Sequence, residues 1–156
     1  MTTYEKIFFY NTSIYDLSTI INAISEILLS LYPKSELIER TIKQFAEKIN
    51  AEGVVLIDDN SLIVGSYYST KESKKLLNAS TPYFLTLNDS FQLTEEYGKR
   101  EDQMVVQRFG KYFVFKEEQF KEGLPYYLLV MKAESPDFSK EDYNSFIKLI
   151  KEIISK

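Results

Sequence analysis

The sequence predicts an α+β fold in which five short strands form an antiparallel sheet with amphipathic helices packed on its faces. Three observations lead to this prediction. Two apolar, β-branched runs flank a polar turn, as in a β-hairpin, and three more apolar runs follow one another as a meander. Strands joined by such short turns pair antiparallel, because a parallel pair needs a long crossover connection. The other apolar residues recur at helical spacing.

Composition limits the chemistry that the chain can carry. Its 156 residues, 44% hydrophobic and 27% charged, fit one globular domain with a substantial core. The absence of Cys excludes disulfides and thiolate nucleophiles, and the absence of His excludes the usual general base and the commonest transition-metal ligand. Neither a GxGxxG nor a GxxxxGK[ST] phosphate loop occurs. We therefore expect a protein that is not an enzyme, with no catalytic residues, no metal site and no cofactor.

Charge and hydropathy bear on partners and location. The net charge of −4 argues against binding driven by phosphates, so we expect no nucleic-acid partner. No apolar run approaches the roughly 18 residues that a membrane-spanning helix needs. We therefore expect a cytoplasmic protein with no membrane span.

A stripe of aliphatic residues predicts the first helix. Ser13 and Asp16 have the spacing of a capping box, and the pair Tyr32-Pro33 ends the helix, because the residue before Pro disfavours helical geometry. Residues 1–34 form an N-terminal helical extension to a domain of residues 35–156. The stripe is either packed on the chain's own core or shared with another subunit or partner. It consists of Ile14, Leu17, Ile21, Ile24, Leu28 and Leu31.

A second helix leads into the predicted hairpin. Ser35 is its expected cap, and it ends near Asn50. The hairpin strands are Val54–Ile57 and Leu62–Tyr68, on either side of Asp58-Asp59-Asn60-Ser61. This acidic loop lacks the Gly and the terminal Glu of an EF-hand, so a plain turn is favoured over a Ca²⁺ site.

The middle stretch, residues 70–100, is the most ambiguous. Ser69 or Thr70 can cap a helix that is kinked or restarted at Pro82 and runs to about Tyr97. The alternative is a short helix followed by a strand around residues 83–87. Phe84, Leu87 and Phe91 give the helix its apolar face.

Three strands and a last helix complete the chain. The strands are Met104–Phe109, Tyr112–Lys116 and Tyr126–Lys132, with a tight turn at Gly110-Lys111 between the first two. Ser139 to Asp142 forms a capping box. The helix that follows this box has an apolar stripe, which consists of Tyr143, Phe146, Ile147, Ile150, Ile153 and Ile154.

This order of elements resembles the Roadblock family over about residues 36–154. Glu52-Gly53-Val54-Val55-Leu56-Ile57-Asp58 is similar to a strand of that family, and Leu62-Ile63-Val64-Gly65-Ser66 is similar to the strand that follows it. The resemblance implies a five-stranded antiparallel sheet between helices. This chain departs from the family at Asn60-Ser61, where a Gly is usual, and at Pro82 in the middle helix.

The resemblance also implies a function. Roadblock-like proteins form homodimers through the middle helix and an adjoining sheet edge, and they bind small Ras-like GTPases or act as scaffolds. We therefore expect a non-enzymatic homodimer whose partner is a small GTPase or another protein. The candidate interface combines this surface with the stripe of the first helix: Phe84, Leu87, Phe91, Leu17, Ile21, Ile24 and Leu28.

The alternative resemblance is to a GAF-like sensor domain that binds a small-molecule ligand. Phe138-Ser139-Lys140-Glu141-Asp142 is similar to the start of that domain's last helix. The two alternatives differ in the middle stretch. A continuous helix on the sheet fits the Roadblock family, whereas a stretch broken around an enclosed pocket fits a GAF-like domain.

Overall fold

A computed structural model describes residues 9–13, 15–31, 34–92, 103–120 and 124–155, apart from the side chains of residues 29, 30, 91 and 92. Four helices and five strands are present in these ranges. The helices are α1 (Leu17–Leu31), α2 (Ser35–Lys48), α3 (Lys71–Gln92) and α4 (Lys140–Ser155). The strands are β1 (Gly53–Asp58), β2 (Ile63–Tyr68), β3 (Gln103–Arg108), β4 (Lys111–Gln119) and β5 (Pro125–Lys132).

The five strands form one sheet in the order β2-β1-β5-β4-β3. Every neighbouring pair is antiparallel, which confirms the predicted five-stranded antiparallel sheet. The last strand in the chain, β5, lies at the centre, where Val130 is opposite Val54 of β1 and Val114 of β4. Its residues from Tyr127 to Lys132 are all buried, as expected for a strand covered on both faces.

Helices cover both faces of the sheet. Alternate residues of β1 face opposite sides, so Val54 and Leu56 contact one buried cluster while Val55 and Ile57 contact the other. Helices α2 and α4 pack on the first side, where the rings of Phe45 and Phe146 are stacked with centroids 4.2 Å apart. Helix α3 packs on the second side. The predicted α+β class is therefore confirmed.

Two predicted helix caps are wrong. Helix α1 begins at Leu17 rather than directly after Ser13, because the Asp16 carboxylate accepts hydrogen bonds from both the backbone N–H and the hydroxyl of Ser18. Ser35 is the first residue of α2 rather than its cap; the capping position is occupied by Lys34, which makes no side-chain cap bond. The predicted caps Thr70 and Ser139 do accept backbone N–H groups, from Ser73 and Asp142.

The middle stretch forms one continuous helix through Pro82, so the predicted restart and the alternative strand at residues 83–87 are wrong. Pro82 has no N–H to donate to the carbonyl four residues earlier. In the preceding turn the hydroxyls of Ser80 and Thr81 donate to the carbonyls of Leu76 and Leu77 at 2.6 and 2.7 Å. Residues 93–97, where the helix was expected to end, lie outside the described ranges.

The two tight turns use left-handed residues that are not all glycine. In the β1–β2 turn the Asp58 carboxylate accepts hydrogen bonds from the N–H groups of Asn60 and Leu62, and Ser61 has φ 67°. The β3–β4 turn is centred on Phe109 and Gly110, with φ 54° and 67°, one residue earlier than predicted. Positive φ at both central residues is typical of a type I′ hairpin turn.

Candidate interaction surface

The inner side of α3 holds the helix on the sheet. Leu77, Phe84 and Leu85 are buried in the cluster on that face. The ring of Phe84 is stacked with that of Phe115 on β4, with centroids 5.7 Å apart. Tyr68 of β2 donates from its hydroxyl to the Asn78 side-chain oxygen at 2.6 Å. Burial raises the pKa of Tyr68 to about 12, so this hydroxyl remains a protonated structural donor at neutral pH.

The outer side of α3 is exposed and uncharged over more than three turns. No Asp, Glu, Lys or Arg occurs from Leu76 to Asn88. Tyr83 is 76% exposed at the centre of this stretch. Its exposed neighbours are Ala79, Thr86 and Leu87, with Ser90 one turn further on. An aromatic ring among small and apolar residues, with no charge to desolvate, is typical of the centre of a protein–protein interface.

Strand β3 lies at one edge of the sheet, and it pairs only with β4 within the described ranges. Met104 and Val106 are partly buried against the cluster beneath α3, whereas Val105, which points to the opposite face, is exposed. An unpaired edge presents backbone N–H and C=O groups to which another strand can add. Helix α3 packs on the same face of the sheet as Met104 and Val106.

The other edge, β2, has α1 beside it. The buried hydroxyl of Ser25 accepts a 2.8 Å hydrogen bond from the backbone N–H of Ile63, the first residue of β2. Glu26 of α1 forms an ion pair with Lys74 of α3, with 3.2 Å between the charged atoms. Helix α1 is therefore fixed against both the edge strand and the middle helix.

The aliphatic stripe of α1 faces mostly away from these contacts. Leu17 and Leu31, at its ends, are 63% and 65% exposed. Ile24 and Leu28 are exposed as well, and Ile21 is partly buried. At its C-terminal end the stripe borders an apolar groove of about 400 Å³. The groove is lined by Leu28, Leu31, Asp58, Leu62, Ile63, Val64, Tyr126 and Ile154.

The residues predicted to form the interface therefore fall into three groups. Phe84 is only 8% exposed and belongs to the chain's own core, because its ring fills the space over β4. Leu87 is exposed on α3, and the side chain of Phe91 lies outside the described part of the chain. The four candidates on α1 belong to the stripe described above, on a different helix from the other three.

Sequence reasoning missed two features of these surfaces, and it expected an open sheet edge without identifying the strand that forms it. Tyr83 was not selected, although the uncharged run around it is visible in the sequence. The hydrogen bond of Ser25 and the open edge of β3 depend on which elements become neighbours. No local sequence pattern carries that information.

In a chain without His or Cys, carboxylates are the side chains best able to act as catalytic acids or bases, and those of Asp58, Glu117 and Glu118 have structural partners. Glu118 accepts a 2.6 Å hydrogen bond from the Tyr143 hydroxyl, and Glu117 contacts the Asn88 amide at 3.4 Å. Asp58 stabilises the hairpin turn. In the described ranges no group of three acidic side chains is placed to hold a metal ion. No helix in these same ranges is long and apolar enough to cross a membrane.

Comparisons with known proteins give the family. The sequence profile of the Gtr1/RagA G protein conserved region matches residues 1–93. No curated protein matches the chain.

Solved structures show the same fold at low sequence identity. An MglB structure with a tetrameric arrangement has 14% identity and a TM-score of 0.62, over 80% of this chain and 92% of that one. The gliding protein MglB from Thermus thermophilus has 11% identity and a TM-score of 0.60, over 80% and 93%. The Roadblock/LC7 domain from Streptomyces avermitilis has 14% identity and a TM-score of 0.56, over 76% and 98%.

The continuous α3 agrees with these comparisons rather than with the GAF-like alternative, which required a broken helix around an enclosed pocket. The rings of Phe84, Phe113 and Phe115 fill the space beneath it. The chain therefore belongs to the family of the Gtr1/RagA G protein conserved region, and it is a Roadblock-family domain.

Proposed function

We propose that this chain is a non-enzymatic interaction module that forms a homodimer through the outer side of α3 and the edge of β3. The observations that carry the proposal are an exposed, uncharged face of α3 centred on Tyr83 and an open strand edge at β3, in the sheet on which α3 packs. The family match supports an association with G proteins. One similar structure is described as MglB with a tetrameric arrangement, which supports self-association.

The two surfaces suit a symmetric contact. A strand edge can pair with its own copy across a two-fold axis, because the same backbone groups then face each other in antiparallel orientation. The partly buried Met104 and Val106 would be covered by the second copy's α3. Helix and strand together can approach the roughly 800 Å² per partner that a standard interface buries.

The partner that we propose is a small Ras-like GTPase, or another protein bound in its place. Binding is favoured over catalysis for two reasons. The carboxylates of Asp58 and Glu118 have structural partners, and the sequence contains no His and no Cys. A domain of this kind acts by presenting a surface to the partner, so its effect depends on the assembled form.

The dimer is tested by placing a charge at the centre of the α3 face. Tyr83→Glu should halve the mass of the assembly measured by light scattering, because a buried unpaired carboxylate opposes association. Leu149→Glu, at an exposed position of α4, is the control and should leave the mass unchanged. An unchanged mass for Tyr83→Glu would contradict the proposed dimer surface.

The GTPase is tested with the immobilised wild-type protein and its native lysate. After washing, denaturation of the bound fraction should release guanine nucleotide above the level from bare resin. A monomeric protein that retains no guanine nucleotide would contradict both the dimer and its partner.

A further inference from the structure

The α1 stripe, defined as Leu17, Ile21, Ile24, Leu28 and Leu31, is an apolar surface that the proposed α3–β3 dimer does not use. Among the described side chains of α1, the buried ones are Ala23 and Ser25, and the Ser25 hydroxyl accepts a hydrogen bond from β2. Four of the five stripe residues are exposed. Apolar side chains that line up on one helix face and remain exposed indicate an interaction site.

The spacing of the stripe specifies a helix as its occupant. Its residues are separated by four, three, four and three positions, which is the a/d seam of a coiled coil. From Leu17 to Leu28 the residues are four, three and four positions apart, so the spacing is the same whether the helix runs forwards or backwards. A two-fold axis between Ile21 and Ile24 would therefore place Ile21 against Ile24 of a second copy, and Leu17 against Leu28. Such self-complementarity is the condition for an isologous contact.

The charge distribution of α1 also fits a second copy of the same helix. Glu26 is the one charged residue among its fifteen, and it is paired with Lys74. The positions that flank a coiled-coil seam usually carry the charges that select a different partner. Here those positions are Ser18, Ile20, Ser25 and Ile27. Two copies therefore meet without like-charge repulsion, and the antiparallel orientation aligns their helix dipoles favourably.

The groove beside the stripe extends the contact area. Leu28 and Leu31 belong both to the stripe and to the groove, whose other apolar walls come from the β1–β2 hairpin, β5 and α4. In the antiparallel register Leu17 of the second copy would lie against Leu28, next to this groove. A pair of four-turn helices is short for a stable interface, so contact at both symmetric grooves adds the area that the helices alone lack.

We propose that the α1 stripe is a second self-association surface, on which the α1 helices of two copies pair antiparallel. The pairing through α1 does not depend on the proposed α3–β3 dimer. Its consequence, an assembly of four chains, rests on the proposed α3–β3 dimer, because α1 lies at the β2 edge and leaves the β3 edge free.

Charge variants at Ile24 test this pairing by light scattering. The wild type should have four times the 18.3 kDa mass of the chain. Ile24→Glu and Ile24→Lys should each have half the wild-type mass, and an equal mixture of Ile24→Glu with Ile21→Lys should regain it, because positions 24 and 21 face each other in the antiparallel register. The control is Leu149→Glu, because Leu149 is 50% exposed and Ile24 44%. A wild-type mass for Ile24→Glu, or a mixture that stays at half mass, would overturn the proposal and assign the stripe to another partner.

The two proposed interfaces can be tested independently of each other. If only the Ile24 variants lower the mass, the α1 pairing stands and the α3–β3 dimer is wrong; if only Tyr83→Glu lowers it, the reverse holds. The double variant with Ile24→Glu and Tyr83→Glu should be a monomer.

Cross-linking tests the register without adding charge, and it remains informative if a charged variant misfolds. The chain has no cysteine, so Ile21→Cys and Ile24→Cys can be mixed and oxidised mildly. This mixture should form a disulfide-linked pair, whereas Leu149→Cys should not. No cross-link between the first two variants would contradict the antiparallel register.

Discussion

Strands β2 and β3 form the two edges of the same sheet, but only β2 has a helix beside it among the described residues. At β2 a serine hydroxyl accepts the backbone N–H of the first strand residue, and the edge faces α1. At β3 no described strand pairs with the outer edge. The difference shows how one sheet can be protected from indiscriminate strand addition while keeping one edge available for a specific contact.

The largest expected effect is a loss of stability from a substitution in β2, the edge strand that lies beside α1. A Cβ atom at Gly65 of β2 would come within 2.5 Å of Ile38 and 2.8 Å of Ile42 on α2. Gly65→Val should lower the free energy of unfolding by about 3 kcal/mol, as measured by urea denaturation, because the core cannot accommodate the added volume. Combining it with Ile38→Ala should destabilise by less than the sum of the two single changes. Additive losses would mean that α2 does not hold the strand.

A smaller effect is expected from removing the contact between α1 and β2. Ser25→Ala leaves the buried N–H of Ile63 without its acceptor, and it should lower the free energy of unfolding by about 1–2 kcal/mol. Hydrogen exchange at Ile63 should become faster. Ser90→Ala removes an exposed hydroxyl of α3 and serves as the control. Unchanged exchange at Ile63 would mean that α1 does not close this edge.

The smallest expected effect is at the turn that leads out of the open edge. Phe109 is 79% exposed and has φ 54°, a conformation that Asn adopts more readily than Phe. Phe109→Asn should raise the thermal midpoint, with a gain in the free energy of unfolding of about 1 kcal/mol. A loss of stability would instead indicate that the Phe109 ring makes a contact that offsets the backbone strain.

Much of the fold could be predicted because local patterns determine it. The apolar run of β1 and the turn at Asp58 indicated the hairpin, and the order of elements indicated the family. The covered edge could not be predicted, because the role of Ser25 depends on its meeting Ile63, 38 residues later. The boundary between residues 1–34 and 35–156 remains a prediction, although α1 is packed against the domain.

The candidate site was predicted less well than the fold. An apolar face was expected on the middle helix, but helical spacing alone does not say which of two adjacent aromatic residues faces the sheet. Phe84 is buried over β4, and Tyr83 is exposed. The stripe of α1 was predicted from its spacing, and its pairing remains a proposal.

The central position of β5 has a consequence for how the chain folds. Strand β1 pairs with β5 from Gly53 opposite Met131 to Asp58 opposite Tyr126, so the middle of the sheet joins segments that are far apart in sequence. During synthesis neither β1 nor β4 can complete its pairing until β5, residues 125–132, has left the ribosome. Such long-range pairing slows folding and leaves strand edges exposed for longer. A fragment of residues 1–93 would contain β1 and β2, but it would lack β5, which pairs with the other side of β1.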